Sequence, residues 1–244
     1  MKKRSKILTP LLVVLLIALI VAANIWKNQS PVQSLRVDID YCGVDTLVRP
    51  AQVEQLVRDG MPGLSSLKIK EVDLKRVAAL AAKSPWLKQC EASTSIGGTV
   101  VVHAVQRRPI VRVCSRQGEY YLDDSCHNVP ISKVSSCDVI VASGNIPAKG
   151  AGLKQVWTLA KYLDAHADLA PLFDQIYLDG KGDLYLTPKL GNHVVQIGNA
   201  EELDSKFHNL MELYDKGLSQ AGWETYSQVS VKYHKQVVCT RRDN

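Results

Sequence analysis

The strongest feature of the hydropathy pattern is an apolar run near the N-terminus. Residues 7–26 carry no charged side chain and consist mostly of Leu, Val, Ile and Ala. A helix of this length rises roughly 30 Å, which matches the hydrocarbon core of a bilayer. Trp26 closes the run, where an indole ring favours the membrane interface. The pattern predicts a transmembrane helix over residues 7–26, with a signal peptide cleaved before Asn24 as the alternative.

The pattern after residue 34 predicts a small domain of strands and helices. Apolar and polar residues alternate with period two over residues 35–41, which indicates a half-buried strand. Two stretches of helical periodicity follow, the first opened by Pro50 and the second capped by Asp73. Two further strands are predicted at residues 89–96 and 99–106. The order β-α-α-β-β is typical of an α+β domain.

The remainder of the chain, after Arg108-Pro109, mixes short strands with two amphipathic helices. Gly-containing turns separate the strands, which favours a sheet with helices packed on it. Ser143-Gly144-Asn145 is predicted to be a loop. The predicted strands are 110–114, 119–122, 173–178, 183–187, 193–197 and 228–240, and the predicted helices are 153–165 and 201–220.

Charge is concentrated ahead of the apolar run. The formal net charge is +6, from 30 basic and 24 acidic residues. Five basic residues and no acidic residue precede residue 28, which leaves 25 basic and 24 acidic residues in the rest of the chain. The positive-inside rule places the N-terminus in the cytoplasm, and both interpretations of the apolar run place residues 28–244 outside it. A nearly neutral remainder is not typical of nucleic-acid binding, so Arg107-Arg108 and Arg241-Arg242 are predicted to be solvated or snorkelling surface charge.

The cysteines leave two interpretations open. An exported chain can form disulfides, but the pairing cannot be chosen from the sequence. Equally, the cysteines can be buried thiols that pack as small apolar residues. There is no Cys-x-x-Cys pair, so neither a thioredoxin-type motif nor a zinc ribbon is indicated. The six residues are Cys42, Cys90, Cys114, Cys126, Cys137 and Cys239.

No motif indicates catalysis. The sequence has no Gly-x-Ser-x-Gly elbow, no Gly-rich phosphate loop and no histidine pair at the helical spacing of metal ligands. Cys126 and His127 are adjacent, and neighbours in an extended chain point to opposite faces, which disfavours a nucleophile–base pair. Asp123-Asp124 fits a polar turn better than a calcium site. We therefore predict no catalytic residue, no cofactor and no metal.

The order of elements and the motifs along it resemble the FtsQ/DivIB family of bacterial cell-division proteins. The motifs are Val37-Asp38-Ile39, Pro85-Trp86-Leu87, Arg107-Arg108-Pro109-Ile110, Tyr121-Leu122-Asp123, Val195-Gln196-Ile197-Gly198 followed by a helix with Lys206, and Ser230-Val231-Lys232-Tyr233. Two positions depart from the family pattern. Gly97-Gly98 stands where the family often has Trp-Pro, and Cys126 stands where it usually has Gly.

This resemblance implies an α+β protein with one membrane helix. It divides the chain into a cytoplasmic tail, a transmembrane helix, a linker, a domain like the polypeptide-transport-associated (POTRA) module with the order β-α-α-β-β, and a mixed β-domain with helices packed on the sheet. The implied boundaries are 1–6, 7–26, 27–34, 35–108 and 109–244.

The function implied by the resemblance is that of a non-enzymatic scaffold of the divisome. Such a protein sits in the inner membrane at the septum, with its N-terminus in the cytoplasm and its C-terminal domains in the periplasm. The implied partners are single-pass (bitopic) division proteins of the FtsB/FtsL type and the septal peptidoglycan synthase complex, with no nucleic acid. Two alternatives stay open: a POTRA-type outer-membrane assembly or transport factor, and an exported cell-wall hydrolase.

The predicted late strand 228–240 is the candidate binding element. An edge strand exposes unpaired N–H and C=O groups, to which a partner can add a strand. By resemblance, Tyr233 is an aromatic anchor and Lys232 pairs with a carboxylate of the partner. The alternative is that Tyr233 packs in the core or caps the edge of the sheet. Gln228 and Val237 complete the predicted partner-binding set.

Overall fold

The computed structural model describes residues 14–19, 30–95, 97–218, 222–233 and 236–242. Within the predicted membrane segment 7–26, residues 14–19 are helical and the others lie outside the described residues, as does the predicted tail 1–6. Among the described segments, no helix is long and apolar enough to cross a membrane. The transmembrane helix therefore stays a prediction.

The chain divides into two compact units, Met1–Gln106 and Arg107–Asn244. The elements of the first unit are β1 (Ser34–Asp40), α1 (Pro50–Gly60), α2 (Leu74–Ala81), β2 (Leu87–Thr94) and β3 (Thr99–Gln106). Their order is the one that the residue pattern predicts. The three strands form one sheet in the order β1-β3-β2, in which β1 runs parallel and β2 antiparallel to β3.

Local signals in the sequence fix both helices of the first unit. Pro50 lies in the first turn of α1, where its missing N–H costs little. Asp73 caps α2, since its Oδ1 accepts a hydrogen bond from the backbone N–H of Arg76 at 3.0 Å. The helices approach closely at Gly60, where an added Cβ would lie 2.3 Å from Cδ2 of Leu80. Together with the sheet they bury an aliphatic core that includes Val37, Val53, Val57, Val77, Val100 and Val102.

The second unit is built around one large sheet. Its elements are β4 (Pro109–Ser115), β5 (Gly118–Asp123), β6 (Asn128–Pro130), β7 (Ile140–Gly144), α3 (Ala151–Ala165), β8 (Phe173–Leu178), β9 (Leu184–Pro188), β10 (Val194–Gly198), α4 (Leu203–Leu213), β11 (Tyr226–Ser230) and β12 (Val238–Arg241). The nine strands follow the order β12-β11-β10-β9-β8-β7-β4-β5-β6. The predicted mixed α+β class is therefore confirmed.

Both helices of the second unit cover the same face of this sheet. Leu159 of α3 and Leu210 of α4 belong to one buried cluster with Ile176 of β8. The rings of Tyr162 and Phe207 stack with centroids 5.1 Å apart and join the two helices. Successive residues of a strand point to opposite faces, so alternate side chains of the central strands face away from the helices.

The prediction of one final strand over residues 228–240 is wrong. This stretch contains the end of β11 at Ser230, residues 231–233 and 236–237 outside any strand, and β12, which runs antiparallel to β11. Val231 is buried, whereas Lys232 and Tyr233 are exposed. The chain reverses direction here, so apolar residues that look like one alternating run belong to two paired strands.

Two strands and one helix of the second unit also differ from the sequence prediction. β6 and β7 were not predicted, and β7 contains Ser143 and Gly144 of the predicted loop. The predicted helix 201–220 begins at Leu203, because Glu202 has a left-handed φ of +52°. The α-helix ends at Leu213 and continues as a π-helical turn, Tyr214–Leu218, after which residues 219–220 lie outside the described residues.

Candidate partner-binding edge

The large sheet ends in two strands of different character. β6 is a three-residue strand that ends in Pro130, and proline lacks the N–H that a further strand would need. β12 pairs with β11 on one side and, in the part of the chain that the structure describes, with no strand on its other side. β12 is therefore the edge that can accept a strand from a partner.

The backbone direction of β12 shows which groups face this edge. The N–H of Arg242 donates to the carbonyl of Thr225 at 3.1 Å, so it points toward β11. Backbone groups of a strand alternate between its two sides. The N–H groups of Cys239 and Arg241 therefore point away from β11, toward the open edge.

The side chains of β12 and the connection before it present an exposed surface. Val238 is 47% exposed and Tyr233 is 55% exposed. Thr240 and Arg241 are also exposed, whereas Cys239 packs against the core. The edge thus combines free backbone groups with an aromatic ring, an aliphatic side chain and a guanidinium.

Lys232 is held by a carboxylate of its own chain. Its Nζ donates to Oδ2 of Asp183 at 2.7 Å, and this hydrogen bond raises the pKa of the Lys232 ammonium. The lysine stem crosses Gly198, whose φ is +76° and where an added Cβ would lie 2.6 Å from Cγ of Lys232. A side chain at position 198 would collide with Lys232, which explains why β10 ends in glycine. The ammonium is thus engaged within the chain, and pairing of Lys232 with a partner carboxylate stays a prediction.

Gln228 lies inside the sheet, because β11 is flanked by both β10 and β12. Its Nε2 donates to Oε1 of Gln196 at 3.0 Å. Gln196 in turn donates to Oδ2 of Asp183 and to the hydroxyl of Tyr185, both at 3.2 Å. This polar ladder crosses β9, β10 and β11 on the face away from the helices. The expectation that Gln228 lies at the edge is therefore corrected.

The four predicted residues thus fall into three environments. Lys232 and Tyr233 lie on the connection that leads to the edge, Gln228 lies in β11, and Val237 is half-buried against the core. The edge residues that sequence reasoning missed are Val238, Thr240 and Arg241. The alternation of apolar and polar residues that could have indicated them belongs to β12, but the sequence prediction joins β12 and β11 into one strand.

The candidate chemical groups have structural partners. Asp123 is fully buried, binds Nη1 of Arg107 at 2.7 Å, and accepts the backbone N–H groups of Ser125 and His127 at 2.9 and 2.7 Å. Arg108 forms an ion pair with Asp164. Both arginines are partly exposed, and their guanidinium groups bind carboxylates of the second unit.

The described residues contain neither a disulfide nor a cluster of metal ligands. All six cysteines lie in that part of the chain, and no disulfide joins them there. No group of three or more histidine, cysteine, aspartate or glutamate residues there is arranged to hold a metal ion.

Comparison with known families identifies the second unit. The family model described as FtsQ/DivIB, C-terminal related, matches residues 108–240, which run from the start of β4 into β12. This match covers more than half of the chain, and the chain belongs to this family. A search of curated proteins found no match. Membership in the family indicates a role in cell division.

Proposed function

We propose that this protein is a non-enzymatic scaffold of the bacterial division septum. It binds bitopic division proteins of the FtsB/FtsL type by strand addition at β12 and links them to the septal peptidoglycan synthase complex. The observation that carries this proposal is the open edge of β12, with outward N–H groups at Cys239 and Arg241, in a chain of the FtsQ/DivIB-related family.

The proposed topology follows from the sequence. Residues 7–26 anchor the chain in the inner membrane, with the tail 1–6 in the cytoplasm. The predicted linker 27–34 is too long, because Val32 is buried in the first unit and β1 begins at Ser34. In this proposal a POTRA-like domain that includes Val32 and β1, and the β-domain from Arg107 onward, lie in the periplasm. The family match favours this scaffold over the transport-factor and hydrolase alternatives, because FtsQ/DivIB proteins are generally non-enzymatic division proteins.

Tyr233 is the proposed aromatic anchor next to the edge. Its exposure of 55% leaves a large apolar area for a partner to bury, and buried tyrosines are common at the centre of interfaces. Lys232, held by Asp183, fixes the segment that carries this ring. Strand addition supplies backbone hydrogen bonds, and Tyr233 and Val238 supply side-chain contacts.

Affinity capture of the full-length tagged chain from solubilised membranes, with quantitative mass spectrometry, tests this function. We expect Tyr233→Ala to reduce recovery of bitopic division proteins about tenfold, which corresponds to an anchor worth about 1.4 kcal/mol. The melting temperature should change little. Unchanged recovery, or a large fall in melting temperature, would contradict the anchor role.

A matched control keeps this experiment specific. Tyr177 is another exposed tyrosine, at 45%, but it lies on β8 and away from the edge. Tyr177→Ala should leave the recovery of division proteins unchanged. An equal loss in both variants would show that the effect is not a property of the β12 edge.

A further inference from the structure

A groove runs over the face of the large sheet that the helices leave open. Its volume is about 550 Å³, which lies within the range of roughly 300–1,000 Å³ that small-ligand sites occupy. Strands β8 to β11 and the turn after β8 supply its walls. The lining residues are Gln175, Tyr177, Asp179, Tyr185, Thr187, Val194, Ser227 and Gln228.

Two tyrosines form the apolar part of this groove. The ring centroids of Tyr177 and Tyr185 are 6.4 Å apart, with their planes tilted by 58°. The Tyr177 ring lies against Gly144, where an added Cβ would be 2.9 Å from Cε2 of the ring. Tyr177 is 45% exposed and Val194 is 39% exposed. The backbone of β7 therefore supports an aromatic surface that solvent can reach.

The polar lining consists mainly of uncharged donors and acceptors. Gln175 donates to the hydroxyl of Ser143 at 2.5 Å, and Gln228 donates to Gln196 at 3.0 Å. These bonds hold the two amides in place and leave part of each amide's hydrogen-bonding capacity open, since an amide has one acceptor oxygen and two donor hydrogens. Thr187 is exposed and adds a hydroxyl group.

The single charged group of the lining is already engaged. Oδ1 of Asp179 accepts the backbone N–H groups of Lys181 and Asp183, each at 2.8 Å. Burial raises the pKa of the Asp179 carboxyl, but these backbone bonds outweigh burial and hold the pKa below its usual value. Backbone N–H groups therefore already occupy Oδ1 of the carboxylate. Its Oδ2 lies 3.5 Å from the Tyr185 hydroxyl.

The tyrosine rings and uncharged polar groups of the groove favour some classes of ligand over others. None of the residues that line the groove is Lys or Arg, which disfavours nucleic acids and acidic peptides. The amides and hydroxyls disfavour a purely apolar ligand, because each would lose its water on binding. Aromatic rings beside fixed amides suit a ligand with one apolar face and many hydroxyl or amide groups. A pyranose ring has this character.

We propose that this groove binds a carbohydrate chain of uncharged hexose units, which stack on Tyr177 and Tyr185 and bond to the amides of Gln175 and Gln228. The site lies on the open sheet face, and its ligand makes no use of the backbone groups of β12. The proposal goes beyond the division scaffold and does not depend on strand addition.

Titration calorimetry of the purified full-length chain with a soluble oligomer of β-1,4-linked N-acetylglucosamine tests the proposal. We expect saturable binding that Tyr177→Ala weakens about tenfold and Tyr177→Phe largely retains, since the ring supplies the stacking surface. Absence of binding by the unmodified chain would overturn the proposal. So would binding that Tyr177→Ala leaves unchanged.

A reciprocal control separates this site from the partner edge. Tyr233→Ala removes an exposed tyrosine that does not line the groove and should bind the oligomer as the unmodified chain does. If Tyr233→Ala loses carbohydrate binding to the same extent as Tyr177→Ala, the groove is not the site. Loss of partner capture with intact oligomer binding would concern the scaffold function alone.

Discussion

Cys126 occupies a backbone conformation that usually selects glycine. Its φ is +63°, and its N–H donates to the carbonyl of Asp123 at 3.0 Å to close the turn after β5. A residue with a Cβ pays roughly 1 kcal/mol for this left-handed conformation. Cys126 in place of the family's usual glycine therefore keeps the turn but strains the backbone.

Replacing Cys126 tests that strain. We expect Cys126→Gly to raise the free energy of unfolding by up to about 1 kcal/mol, measured by urea denaturation. The same change at Cys114, inside strand β4, should lower it by about 0.5–1 kcal/mol, because glycine weakens a strand. Equal destabilisation by both substitutions would contradict the strain argument.

His193 is buried and only partly hydrogen-bonded. It is 2% exposed, its Nε2 lies 2.9 Å from the Tyr214 hydroxyl, and its Nδ1 has no partner among the described residues. Burial lowers the pKa of His193, with Glu224 acting against this shift and Arg242 adding to it. The folded state therefore takes up a proton less readily than the unfolded chain.

This shift predicts a pH-dependent stability. Below the unfolded pKa of about 6.5, the unfolded chain binds a proton that folded His193 does not, so the free energy of unfolding should fall as pH decreases from 7.5 toward about 5.5. His193→Gln should flatten this slope in urea titrations at several pH values. His208→Gln, at an exposed position on α4, should leave the slope as it is. A slope that survives His193→Gln would assign the effect to other groups.

At the scale of elements, β12 offers a test based on proline. Arg241→Pro removes an N–H that points to the open edge, whereas Thr240→Pro removes one that points toward β11. We expect Arg241→Pro to reduce partner capture with little change in melting temperature. Thr240→Pro should lower the melting temperature, because it breaks the pairing of β12 with β11.

Arg241→Ala is the matched control for this pair of variants. It removes the guanidinium but keeps the backbone N–H, so strand addition should still occur. If Arg241→Ala reduces capture as strongly as Arg241→Pro, then the charge, and not the backbone, carries the interaction.

Most elements could be predicted from the sequence because their signals are local. Pro50 and Asp73 mark helix starts, and glycine-containing turns separate β8, β9 and β10. The final hairpin could not, since nothing within residues 228–240 distinguishes one strand from two that pair with each other. The result depends on tertiary pairing, and it moves Gln228 from the edge to the interior.

The candidate site could be predicted only in part for the same reason. The exposure of Tyr233 fits a sequence-based expectation of a surface aromatic residue. The carboxylate that holds Lys232 comes from Asp183, 49 positions earlier in the chain, and no spacing rule connects them. Long-range contacts of this kind appear only once the sheet order is known.

At the scale of the whole molecule, the functional evidence lies in the second unit. The family match begins at residue 108, next to the boundary between the units, and ends at residue 240, within β12. The first unit lies outside the matched range, so the proposal that it is POTRA-like rests on the order of its elements alone. The basic residues before residue 28 carry most of the net charge, so charge informs membrane topology more than binding.

Site-specific photo-crosslinking in living cells tests the central claim most directly. A photoreactive amino acid at Val238 reports on the β12 edge, and one at Asn128 reports on β6 at the opposite end of the sheet. We predict adducts with bitopic division proteins from Val238 and none from Asn128. Adducts from Asn128 alone, or no division protein at Val238, would contradict partner binding at the β12 edge.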